Sequence, residues 1–113
     1  MAAGQTRDDA LRELRATRSA MLSATWLLNL ESEDEATQSE AARQLLRVNH
    51  AIRKLENAQL EDIRNQILEN ETELESARAT VEQALENLNR VKTVLESVAT
   101  FLGVIARVVA LLA

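Results

Sequence analysis

LEDIRNQILENETELESARATVEQALENLNRVKTVLESVATFLGVIARVVALLA, residues 60–113, decides the fold, because its apolar positions alternate three and four apart without a slip. With Leu60 as position a of a heptad, the a sites are Leu60, Ile67, Leu74, Val81, Leu88, Leu95, Leu102 and Val109. The d sites are Ile63, Asn70, Ala77, Ala84, Val91, Val98, Ile105 and Leu112, so Asn70 alone is polar. A heptad sustained this long predicts helices packed side by side in coiled-coil fashion.

Asn70 separates two architectures. In one, a single helix runs from about 37 to 113, roughly 115 Å at about 1.5 Å per residue, with Asn70 a buried polar residue that fixes register. In the other, Asn70 is an N-cap with Glu73 three residues on, the chain reverses at 69–72, and a new helix starts there. LENETELE (68–75) places three acids where the positive end of a helix dipole would favour them, which selects the reversal.

Upstream, Thr6 with Asp9 resembles a capping box that opens a first helix, on which Leu11, Leu14, Met21 and Leu28 fall along one stripe. Its last turns, Ala24 to Leu30, are apolar nearly all round and need cover on several sides. ESEDEATQSE (31–40) is acidic and contains two capping boxes, Ser32 with Glu35 and Thr37 with Glu40, so a turn is predicted at 30–36. Leu45, Val48, Ile52, Leu55, Ile63 and Ile67 then follow the helical period, with Gln59 as a polar gap. The expected fold is all-α, a single antiparallel three-helix bundle with helices near 7–30, 36–69 and 72–113; one N-terminal helix plus a continuous helix over 37–113 is the alternative.

With 46% hydrophobic residues, 2% aromatic, two glycines and no proline, the composition also describes helices, and no strands are expected. The net charge is −5, divided as −1 over residues 1–58 and −4 over 59–113, and neither half holds the basic excess that phosphate neutralisation needs. Nucleic acid is therefore not an expected partner. Arg12, Arg15 and Arg18 form a short basic stripe, but Asp8, Asp9 and Glu13 surround it and it reads as a solvated face. Without cysteine there is no disulfide or thiolate chemistry, and the N-terminus has no apolar run of the kind a cleavable signal peptide carries. A cytoplasmic or membrane-associated location is expected.

Enzymatic chemistry lacks parts. His50 is the only histidine, there is no glycine-rich loop, and the acid clusters Glu71, Glu73, Glu75 and Glu33, Asp34, Glu35 stand at helix beginnings. No catalytic residue, metal, cofactor or small-molecule substrate is expected, and His50 reads as a surface or groove residue.

The reversal brings the apolar end of the first helix and the C-terminal segment SVATFLGVIARVVALLA (97–113) to one pole. The interaction residues expected there are Trp26, Leu27, Leu30, Phe101, Leu102, Ile105, Val108, Val109 and Leu112, with Trp26 packed near Phe101 and Arg107 turned away from the seam. The expected function is a non-enzymatic structural or interaction module that self-associates, or docks on a helical protein partner, through that pole. Seventeen residues make only about 25 Å of helix against a hydrocarbon core of about 30 Å, and a central arginine costs about 2.5–3.5 kcal/mol. Insertion of the C-terminal helix as a pore former, lysis factor or anchor is the competing expectation.

Overall fold

The computed structural model describes residues 2–110 and contains, among them, six helices and no strand: α1 (Ala2–Met21), α2 (Ala24–Glu31), α3 (Glu35–Asn57), α4 (Leu60–Glu69), α5 (Glu71–Ala84) and α6 (Val91–Ile105). The all-helical expectation stands. The chain measures 44 × 28 × 18 Å, which removes the rod of roughly 115 Å that the alternative required.

Four helices carry the core. α1 packs against α3 and α5, α6 packs against the same two, and α4 and α2 lie across opposite ends. α1 and α3 are antiparallel: Arg7 donates to the Ala58 carbonyl at 3.1 Å, Arg15 pairs with Glu56, and Arg18 donates to Asn49 at 3.4 Å. α1 and α5 are parallel, with Thr6 donating to Glu71 at 3.1 Å. α5 and α6 form an antiparallel hairpin, closed at one end by the 85–90 turn and at the other by Arg107 with Glu73 at 2.7 Å. The expected three helices are thus replaced by four long ones in the order up, down, up, down, with the diagonal step from α3 to α5 made by α4.

Each departure from the expected helix bounds has an identifiable physical cause. α1 starts at Ala2 and not near residue 7, because Ala3 is buried and Thr6 spends its hydroxyl on Glu71 instead of on a cap. The helix expected to run to residue 30 breaks at Leu22–Ser23. There the Ser23 hydroxyl donates to the Ala20 carbonyl at 2.7 Å and accepts from the Trp26 amide at 3.2 Å, closing α1 and opening α2. The turn expected at 30–36 is present, but neither proposed capping box opens α3. Asp34 does, accepting from the Thr37 amide at 2.8 Å, and hydrogen bonding first from the Thr37 side chain and then from its amide holds the carboxyl below the usual range.

The helix expected over 36–69 is divided at Ala58–Gln59, the site of the polar gap in its stripe. Both residues are extended, Ala58 at φ −72° and ψ 140°, and the Arg7 guanidinium satisfies the Ala58 carbonyl. α4 then crosses beside the start of α1, with Leu60 close to Gly4. Asn70 occupies the N-cap position of α5 as expected, but its side chain makes no capping bond there. Its amide donates to the Gln66 carbonyl at 2.7 Å and so closes α4, and the reversal is shared between Asn70 and the 58–59 corner.

The helix expected over 72–113 folds back at LENLNR (85–90). Asn87 accepts from the Asn89 amide at 3.2 Å and from Arg90 through its carbonyl, a pair of local bonds that compete with helix continuation. The heptad phase survives the reversal, since Leu74, Ala77 and Val81 on one limb and Val91, Val98, Leu102 and Ile105 on the other all face one hydrophobic cluster. Along α6, Val94, Leu95, Phe101 and Val104 join them, so this helix is apolar on most sides and buried on most sides.

One carboxylate is buried among the described residues. Glu13 is 6% exposed at the α1–α5 seam, and burial first, then the Glu82 charge, raise its pKa above the usual 4.5, while Arg78 opposes both. A raised acid pKa means that the folded state holds the proton more tightly than the unfolded chain. The associated stability is complete below about pH 4.5 and is lost as pH rises through the elevated value. Glu13→Gln should therefore melt at a higher temperature than the parent at about pH 7, and the difference should shrink toward zero at about pH 4. Thermal unfolding followed by circular dichroism across that range checks it; a gain independent of pH contradicts the assignment to Glu13 ionisation.

Candidate docking surface

The residues expected to share one pole are divided between core and surface and between the two ends of the bundle. Trp26 is 1% exposed, Phe101 1%, Leu102 0%, Ile105 1% and Val108 9%, so these five are core. Leu30 and Val109 are partly buried against the same cluster, and Leu112 lies outside the described residues. α2 sits at the end where α6 begins, tied there by Asn29 donating to the Leu88 carbonyl at 2.9 Å. The C-terminal end of α6 lies at the opposite end, beside Asn70 and Glu73. The 85–90 turn reverses α6, which carries residues 97–108 away from the α2 end and into the core.

One part of the expected pole remains exposed. Leu27 is 49% exposed and Leu28 64%, and Leu22, in the turn that leads into α2, is 58% exposed. Leu28 was expected on the buried stripe of α1. The Ser23 break resets the helical phase, so Trp26 takes the inward position and Leu27 and Leu28 are turned out. With Ala24, Leu30, Glu31 and Gln38, they line a surface groove of about 570 Å³. Scattered exposed leucines are ordinary; adjacent ones that share a groove make this the candidate docking surface.

The groove rests on a fixed frame. Gln38, one turn into α3, donates its side-chain amide to the carbonyls of Leu30, Glu31 and Glu33 at 3.1–3.4 Å, which closes the C-terminus of α2 and holds the α2–α3 corner. Trp26 anchors the other face of the helix in the core. The leucines are thus presented on a short helix immobilised from two directions.

Other polar groups are committed elsewhere. The stripe of Arg12, Arg15 and Arg18 is engaged by Asp9, Glu56 and Asn49. Glu71 accepts from Thr6, Glu73 pairs with Arg107, and Glu75 pairs with Arg78 at 3.0 Å. Arg107, expected to face water or a partner, is exposed and reaches from the end of α6 to Glu73 on α5. His50 is half-buried on α3. No group of three His, Cys, Asp or Glu side chains among the described residues is arranged to hold a metal ion. A second groove, about 450 Å³ between α5 and α6, is lined by Ser76, Thr80, Ser97 and Thr100 among others. The hydroxyls of Thr80, Ser97 and Thr100 each donate to a carbonyl four residues back on their own helix, so it presents few free donors.

No helix among the described residues is long and apolar enough to cross a membrane. Comparison of the chain with family models, with curated proteins and with solved structures finds no match.

Proposed function

We propose that this chain is a non-enzymatic helical interaction module that binds an amphipathic helix, from a second copy or another protein, in the leucine groove of α2. The observation that carries this reading is the pairing of Trp26, buried at 1%, with Leu27 and Leu28, exposed at 49% and 64%, on one eight-residue helix. A helix that needed only to cap the bundle could end its apolar run at the tryptophan. The leucines beyond it leave apolar area in water, at a cost of about 25 cal/mol per Å² that a docked helix would recover. Grooves of this kind accept helices through side chains spaced three, four and seven apart.

Insertion of the C-terminal helix into a bilayer is the competing reading. It would require α6, the most thoroughly buried helix of the bundle, to leave a core that then collapses.

A synthetic uncharged amphipathic helix, leucine on one face and glutamine on the other, tests the reading. Added to the isotope-labelled chain, it should shift the methyl signals of Leu27, Leu28 and Leu30. Leu27→Ser with Leu28→Ser should abolish the shift at Leu30, whose methyls remain, while changing folding stability by no more than about 0.5 kcal/mol per site, as expected of exposed positions. Shifts that map to α4–α5, or that survive the double substitution, reject the surface. Flotation of the chain with liposomes that survives it as well would favour the membrane reading.

A further inference from the structure

We infer that the helix received by the α2 groove is cationic: an amphipathic segment of another protein whose apolar face enters the groove and whose lysines and arginines meet an acidic rim. The inference rests on the docking proposal above and adds the chemistry of the partner. Its basis is the distribution of charge. Between Ser19 and Ala42 the chain holds five acids and no base, a local charge of −5, equal to the net charge of the whole protein. This quarter of the chain contains α2, the groove and the α2–α3 corner.

The structure shows which of these charges are already answered. Glu40 pairs with Arg43 at 2.8 Å, and Asp34 caps α3 and feels the Lys92 charge. Glu31, Glu33 and Glu35 make no ion pair among the described residues. Glu31 lines the groove itself, and Glu33 and Glu35 follow within four residues of it. α2 is eight residues, about 12 Å long, so much of the leucine surface lies within about one Debye length of these carboxylates at physiological salt.

That proximity decides among the occupants. A second copy docked through the same face would bring two such acidic segments to one interface, and an anionic bilayer would meet the same repulsion. A basic amphipathic helix meets attraction at the rim and apolar cover in the groove.

Three synthetic peptides of one leucine pattern test this, with lysine, glutamine or glutamate on the polar face. The lysine peptide should bind most tightly and the glutamate peptide least, with methyl shifts at Leu27, Leu28 and Leu30. Glu31→Gln, Glu33→Gln and Glu35→Gln together should weaken the lysine peptide about tenfold and flatten its salt dependence, three rim charges at roughly 0.5 kcal/mol each. Glu61→Gln with Asp62→Asn, an acid pair on the exposed face of α4, should leave its affinity unchanged. Equal binding of all three peptides in this groove overturns the cationic partner and leaves the docking surface intact. Binding by none overturns both. Loss of lysine-peptide affinity on the α4 substitutions would reduce the effect to general charge attraction. Dimerisation or liposome flotation abolished by Leu27→Ser with Leu28→Ser would give the surface to a second copy or to lipid instead.

Discussion

Ile105→Glu should unfold the whole bundle, with far-ultraviolet helicity lost across the chain and not only from its C-terminal turns. Ile105 is 1% exposed, and with Val108 it borders an enclosed crevice whose other walls come from α1, α3, α4 and α5, through Ala10, Leu55, Ile67 and Leu74. Arg7 also lines the crevice, but its guanidinium is held by the Ala58 carbonyl, so a carboxylate there is buried with little compensation, which costs more than most single substitutions. Against a total stability of about 5–15 kcal/mol for a domain, that penalty is decisive. The milder Ile105→Ala should retain the fold and cost about 2–5 kcal/mol, read as a lower midpoint in urea at unchanged slope. If Ile105→Glu stays helical and cooperative, α6 is not the central helix described here.

Trp26→Ala should cost about 3–5 kcal/mol, although α2 is only eight residues long and sits at one end of the bundle. The indole is among the largest fully buried side chains of the protein, and a helix this short has almost no stability of its own once the anchor is gone. The neighbouring Leu28→Ser should lie within about 0.5 kcal/mol of the parent. The contrast between two apolar positions two residues apart, measured by urea denaturation, is the sharper result. Similar losses at both would mean that Leu28 is structural, and the groove would lose its claim to a partner.

The two effects bear on function in opposite ways. Substitutions at Ile105 and Trp26 remove the platform, whereas those at Leu27, Leu28 and the acidic rim remove only what the platform presents. Had the expected shared pole existed, Ile105 and Val109 would have been surface residues and their replacement would have spared the rest of the bundle. Ile105 instead belongs to the core, and Val109 is half-buried against it.

What the sequence determined by itself was helical class, the buried stripe of residues 60–109, the turn after Leu30 and the apolar excess of Ala24–Leu30. All of these are periodic or compositional, and period records which side of a helix is covered. It does not record by what. A heptad reads the same in one continuous helix as in two limbs that turn back on each other, provided that both limbs face one core, and the turn at 85–90 uses asparagines where a glycine or proline would have announced it. Tertiary contacts decided the rest. The Ala58 corner is held by Arg7 from 51 residues away and the Leu88 turn by Asn29 from 59, bonds with no local signature. Once those corners were set, direction followed: α6 runs inward from the α2 end, its apolar surface is consumed by the bundle, and the leucines of α2 are left facing water.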